Sequence, residues 1–357
     1  MKKKLISTLL VGALAAALLS GCGNTTGTGS KTTEKDVVAE QDTSAAKKTD
    51  YKYGHVQIPC LDGALCGAPL YIAYENGYFA EEGIDAELIA ADTETRKIGL
   101  NNGDYPITNG DFMFFQSIEQ DVNVSVVDGL HNGCIKVLVP AGSDIKSAAD
   151  LKGKAIGVDE IGGPPYEATS IWLEDAGVKA AGSDADVTFL PYSDGNLELE
   201  ALYSGEIAAA AIWDPIASEA TQSGKAEAIL DIGKDGIFAG KYCCFVYASD
   251  KVLKDQPDEI AALIRAIRKA EQWINDHPDE TVKIIADKGY SQVEDAKLAS
   301  QLLQEYVYPT QEELDAGERN VKETVEYFAE KLYDVGYLST PATELMDKLY
   351  TEVDVNQ

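Results

Sequence analysis

Basic residues are the scarce charged class in this chain: 30 Lys and Arg stand against 60 Asp and Glu, a net charge of −30 over 357 residues. So acidic a balance excludes nucleic acid as a partner, because affinity for a phosphate backbone rests on Lys and Arg. It keeps an exported chain soluble and leaves the sign of charge inside a buried cleft open. Standard zinc-type cysteine spacing is missing, and so is any repeat of short period. Beyond Cys22 there are five cysteines, Cys60, Cys66, Cys134, Cys243 and Cys244, an odd number that leaves at least one thiol unpaired within the chain. Packing as small apolar side chains is their default, with pairing or ligation as the alternatives, and no metal or cofactor is expected. Bulky residues are nearly absent from 23–50, a stretch of Gly, Ser, Thr, Lys, Asp and Glu that cannot bury enough surface to fold.

The apolar run Leu5 to Leu19 is too short for a comfortable membrane span. Lys2, Lys3 and Lys4 precede it and Leu19-Ser20-Gly21-Cys22 closes it, which is the shape of a secretory signal. The ending resembles the bacterial lipobox, whose cysteine becomes the lipidated first residue. The expectation is a signal peptide over 1–21, then lipidated Cys22 on a flexible tether reaching residue 50. Removing 1–21 takes three lysines and no acid from a net −30 and leaves −33. The globular part then starts near Tyr51 and holds about 300 residues, more naturally two lobes than one.

Within it, Gly63 to Ile84 organises the rest. Small residues Gly63, Ala64 and Gly67 lead into Pro69 at a helix start, and the helix stops at Gly77. Backbone N–H groups at such a start suit a polar or anionic ligand. Strand signals recur over 54–58, 86–90 and a segment ending Thr108-Asn109-Gly110-Asp111, then over 122–128 and 134–140, with Gly129 to Gly133 as a loop. A second set follows at 155–158, 187–190, 208–213, 228–232 and 243–248, with helices over 166–176 and 197–203. Pro257 to Asp276 carries Ile260, Leu263, Ile264, Ile267, Ala270 and Ile274 on one helical face. Further amphipathic helices run to Val353. Strands alternating with helices predict an α/β fold with a mostly parallel sheet.

Several pieces, taken in order, resemble the substrate-binding proteins of nitrate, sulfonate, taurine and thiamine-pyrimidine ABC importers. They are Ala68-Pro69-Leu70-Tyr71-Ile72-Ala73 with Gly77-Tyr78-Phe79 and Glu82-Gly83-Ile84-Asp85, then Asp150-Leu151-Lys152-Gly153-Lys154 with Ile156-Gly157. Trp213-Asp214-Pro215 and the Arg265 to His277 helix complete the set. The resemblance implies a two-lobed, type II periplasmic-binding-protein-like clamshell with a helical C-terminus. Lobe 1 is expected over 51–140 plus 245–357 and lobe 2 over 141–244, joined by two crossing strands near 134–140 and 243–248. A small-molecule ligand would sit between the lobes, and hinge closure would present the protein, a monomer held at the outer face of the membrane through Cys22, to a permease.

Helix starts converge on the cleft in such folds. The candidates are Leu65, Cys66 and Gly67; Asn109, Gly110 and Asp111; Gly162 and Gly163; and Trp213 with Asp214. Tyr166 and Trp213 are candidates for stacking on a planar ligand, although aromatics at lobe edges also pack. Asp214 before Pro215 equally suits a helix cap. Asp62 and Asp111 argue against a small bare anion and for an amine, amidine or hydroxylated ligand, and the first loop has few hydroxyls for a sulfonate. His131 is a further candidate and, with Cys134, Cys66, Cys243 and Cys244, a soft potential ligand. Cys243-Cys244-Phe245 also resembles part of the cysteine-rich segment of the fungal pyrimidine synthases, which share this fold and use iron there. Only two of those cysteines are present, so an iron-dependent enzyme stands as the alternative, and a receptor for a sensor as another.

Overall fold

The run Val124-Ser125-Val126-Val127-Asp128-Gly129-Leu130-His131 is buried at all eight residues, the mark of a strand covered on both faces. It belongs to a computed structural model that describes residues 51–61, 63–291, 293–316 and 321–356. The expected signal peptide, tether and lipidated Cys22 lie outside the described residues, as does Asp62.

Among the described residues, ten strands form three sheets. β1 (Gly54–Pro59) and β2 (Ile84–Ile89) pair in parallel, Gly54 opposite Ile84 and Pro59 opposite Ile89. β3 (Ile107–Asp111) and β4 (Val124–His131) flank β10 (Cys244–Ser249), both antiparallel to it. The third sheet holds β5 (Ile135–Pro140), β6 (Ala155–Val158), β7 (Thr188–Pro191), β8 (Ala209–Trp213) and β9 (Ala226–Asp231) in the order β7-β6-β8-β5-β9. β6 is parallel to β7 and β8, and β5 is antiparallel to β8 and β9. The sheets are therefore mixed where a mostly parallel sheet was expected. The antiparallel members are the strands that enter from the other half, β5 on the way out and β10 on the way back.

Two differences from the sequence reading follow from this pairing. β4 runs on through Gly129, Leu130 and His131, expected as loop, because Cys244 and Phe245 of β10 pair with His131 and Gly129. β5 belongs to the five-stranded sheet, so the chain changes sheets over 132–134 and 232–243, earlier than the expected crossings at 134–140 and 243–248. Nothing in the continuous apolar character of 135–140 says which sheet it joins.

The helix Pro257–Asp276 has the expected bounds, with Pro257 in its first turn and Asp258 and Glu259 where the helix dipole favours acids. Its apolar face packs on the helices Ala68–Glu75 and Tyr78–Glu81. Arg265 donates to Glu82 Oε2 at 2.7 and 3.0 Å, and Arg268 donates to both oxygens of buried Asp128 on β4 at 2.7 and 3.0 Å. The chain returns to the first half at its end, where the Thr351 N–H donates to the Val126 carbonyl oxygen at 3.0 Å.

Candidate functional site

The opening loop is held from behind. Tyr71 O–H lies 3.0 Å from the Cys60 carbonyl oxygen, and Ser291 Oγ donates to the Gly63 carbonyl oxygen at 2.6 Å. Gly67 is fixed by packing: a Cβ there would stand 2.4 Å from the Tyr71 ring and hydroxyl. Leu65, Cys66 and Gly67 form one buried 3-10 turn, which leaves Leu65 and Gly67 behind the surface that the loop presents.

In front of that loop lies a cavity of about 240 Å³, small for a drug-sized ligand. One wall is Ala64 and Cys66 of the loop, Asn109, Gly110 and Asp111 of β3, and Cys244 of β10. The other is Trp213 and Asp214, where β8 of the five-stranded sheet ends. The structure thus brings together six of the expected residues, Cys66, Asn109, Gly110, Asp111, Trp213 and Asp214. Among the described residues lining this cavity there is no Lys, Arg or His.

Asp111 is the acid with room to act. Its Oδ1 accepts the Met113 N–H at 2.9 Å, and burial raises its carboxyl to about 7 in spite of that bond. Asn109 is buried beside it, with Arg96 Nη1 3.4 Å from its carbonyl and side-chain oxygens. Trp213 offers a half-buried ring whose Nε1–H donates to Asp159 Oδ2 at 2.9 Å. Asp214 is different. Its Oδ1 accepts from Ser218 N–H at 3.1 Å and Ser218 Oγ at 2.6 Å, and its Oδ2 takes the ammonium of buried Lys136. Its carboxylate is consumed by the protein, as a cap for the helix Ile216–Gln222 would be. The Asp214–Pro215 bond is cis, and Pro215 is the N-cap residue of that helix.

Gly162 and Tyr166 line a second cavity, about 420 Å³, with Glu160, Glu167 and Tyr337. Tyr337 O–H donates to the Gly162 carbonyl oxygen at 3.1 Å. Gly163 is the N-cap residue of the helix Pro164–Asp175. Glu167 on that helix is fully buried, and neither carboxyl oxygen has a hydrogen-bond partner among the described residues. Burial pushes its carboxyl well above the usual range.

His131 lies beneath the first cavity. It stacks on Tyr306 at 4.4 Å, its Nδ1 is 3.0 Å from the Asn132 carbonyl oxygen, and its Nε2 is buried without a hydrogen-bond partner. Around it Cys66, Cys134 and Cys244 each bring a sulfur, the four donor atoms all lying within 4.8 Å of one another. Cys243 stands alongside, its sulfur 3.5 Å from that of Cys134 and 3.5 Å from the His131 carbonyl oxygen. None of the five described cysteines is in a disulfide, and all five are buried. Lys136, Asp159 and Glu167 were not among the expected site residues. Only Lys136, a lone charge inside Ile-Lys-Val-Leu-Val, carries a signal that could have singled it out.

The family described as "NMT1/THI5 like" matches residues 67–281, more than half of the chain. A curated relative, the formylaminopyrimidine-binding protein of Halalkalibacterium halodurans, is 29% identical over 222 residues, which are 60% of this chain and 64% of that protein. The chain thus spans a little under two thirds of that relative. Among solved structures, the periplasmic aliphatic sulphonate binding protein SsuA from Escherichia coli superposes with a TM-score of 0.64 at 16% identity, covering 85% of this chain and 94% of that one. The desulfurization enzyme DSZB superposes with a TM-score of 0.58 at 19% identity, covering 85% and 98%. At these identities the likeness is one of fold, the two-lobed type II binding-protein fold, and that fold carries binders and an enzyme alike.

Proposed function

Because this chain belongs to the NMT1/THI5-like family, we propose that it is an extracytoplasmic solute-binding protein that holds a small planar, amine-bearing heterocycle of the pyrimidine-precursor class. The observation that carries the reading is Asp111, a half-buried carboxyl raised by desolvation to about 7 in a cavity whose described lining has no cation. A sulfonate or nitrate held there would meet carboxyl groups and no cationic partner. An aminopyrimidine edge presents a ring-nitrogen acceptor next to an amine donor. A protonated carboxyl answers that pair with one O–H and one lone-pair oxygen. Trp213 supplies a flat face from the opposite wall, and Asn109 a second polar edge. The name of the Halalkalibacterium relative supports the same ligand class.

The finer parts of the reading rest on the sequence and the family. Leu19-Ser20-Gly21-Cys22 supports a lipid anchor on Cys22, and the family supports delivery of the ligand to an ABC permease without turnover. No helix among the described residues is long and apolar enough to cross a membrane.

The test is calorimetry and thermal melting with formylaminopyrimidine and a plain aminopyrimidine, set against methanesulfonate, taurine and nitrate. A pyrimidine at a hundredfold excess over its Kd should stabilise the fold by about 2.7 kcal/mol, and mass spectrometry should return it unchanged. Stabilisation by sulfonate or nitrate with none by a pyrimidine overturns the ligand class, and a chemically altered pyrimidine overturns the binding-only role.

A further inference from the structure

We propose that Cys66, His131, Cys134 and Cys244 form a binding site for one thiophilic divalent cation, with Zn²⁺ the best match to the donor set. The four come from the opening loop, the end of β4, the first crossing and the start of β10, so no sequence spacing announces them. Three lie outside the Cys243-Cys244-Phe245 segment, and the inference rests on the convergence of all four in space.

The geometry is close to what a tetrahedral cage needs. With Zn–S near 2.3 Å and Zn–N near 2.0 Å, donor atoms sit about 3.5–3.8 Å apart. Here the four lie within 4.8 Å of one another, all on buried residues, so movements of about an ångström close the cage.

His131 supplies the independent sign. With the proton on Nδ1 donated to the Asn132 carbonyl oxygen, Nε2 carries a lone pair, and it is buried without a hydrogen-bond partner. A backbone carbonyl on the far nitrogen is the arrangement that orients a metal-binding imidazole. Tyr306 stacked on one face and Tyr308 edge-on at 6.4 Å shield the ring from water. Cys243 donates its S–H to the His131 carbonyl oxygen and stands as a neighbour to the site.

Binding involves no change of oxidation state. Three thiols lose their protons to the buffer, three thiolates and one neutral imidazole bind, and the assembly carries a net charge of −1. Cys66 and Cys244 also line the ligand cavity, so the ion would sit at its floor. The proposal does not depend on the ligand class argued above.

The experiment uses the whole chain, reduced with a phosphine and freed of metal, titrated with Co²⁺ as an optical stand-in and then with Zn²⁺. The expected result is one Co²⁺ per chain, with a thiolate charge-transfer band and intense tetrahedral d–d bands that Zn²⁺ bleaches. Release of about three protons per ion should accompany it. Cys134→Ser and Cys244→Ser should each weaken uptake at least tenfold while Cys243→Ser keeps the tetrahedral spectrum. Oxidation to a Cys134–Cys243 disulfide should abolish uptake, and reduction should restore it. No uptake by the reduced wild-type chain, or weak octahedral bands without charge transfer, overturns the site. So do thiolate bands that survive in both serine variants. The wild-type spectrum decides even where a serine variant does not fold.

Discussion

Gly133 and Gly233 press backbone against backbone where the chain passes between its sheets: a Cβ on Gly133 would lie 2.2 Å from the Gly233 Cα. Gly133 also has φ +45°, where a side chain is strained whatever the space. Gly133→Ala should therefore cost about 2–4 kcal/mol in urea denaturation and weaken ligand affinity, since the two crossings must part to admit the methyl. Gly142→Ala is the control, with φ +74° and nothing within 4 Å of the added carbon. It should cost only about 1–2 kcal/mol. Equal losses in the two variants would remove the close approach as the cause.

Lys136→Met leaves Asp214 as a buried carboxylate with only the Ser218 contacts, and should cost about 3–5 kcal/mol. Adding Asp214→Asn should recover a large part of that loss, because the unpaired charge goes with it. Chemical denaturation of the single and double variants reads this directly.

Stability should fall as pH rises from acid. Burial raises the Asp111 carboxyl to about 7 and the Glu198 carboxyl to about 9. Both folded values lie above the unfolded ones, near 4, so between those limits the folded chain holds a proton that the unfolded chain has lost. The contribution is complete below about pH 4. It is lost progressively as pH climbs, by about 7 for Asp111 and about 9 for Glu198. Exposed carboxylates such as Glu87 and Asp150 shift the other way, but solvent screens them. Denaturation midpoints from pH 5 to 9 should flatten in Asp111→Asn and Glu198→Gln. A wild-type profile that rises across this range would sink the argument.

Trp213→Ala should lower affinity for an aminopyrimidine about tenfold or more, measured by calorimetry, since the ring is the flat face of one wall. Trp213 is half-buried, so the melting temperature of the free protein should move little by comparison. A large fall in melting temperature with unchanged affinity would make the ring a packing element.

What could be read from the chain alone was local. The bounds of the helix Pro257–Asp276 follow from Pro257 and a stripe of Ile and Leu, and they hold to the residue. The glycine and proline punctuation likewise located the opening loop and its helix. The assignment of Ile135–Pro140 to the second sheet was not legible, because a buried strand reads the same on either side of a crossing. Cys66, His131, Cys134 and Cys244 were each visible as soft donors, yet their meeting depends on pairings such as Cys244 with His131 that span more than a hundred residues. Asp214 was visible as either ligand or cap, and only the ammonium of Lys136 decides how its charge is used.

The cavity has no complete wall on either half of the molecule: Asn109, Asp111 and Cys66 stand on one sheet's side, Trp213 and Asp214 on the other's. A molecule held there is a rivet, and its grip fails all at once when the plates separate. Under the proposed binding role, a membrane partner that pulls the halves apart would need no chemistry directed at the cargo, and leverage applied at a distance would be enough to empty the seat in one stroke.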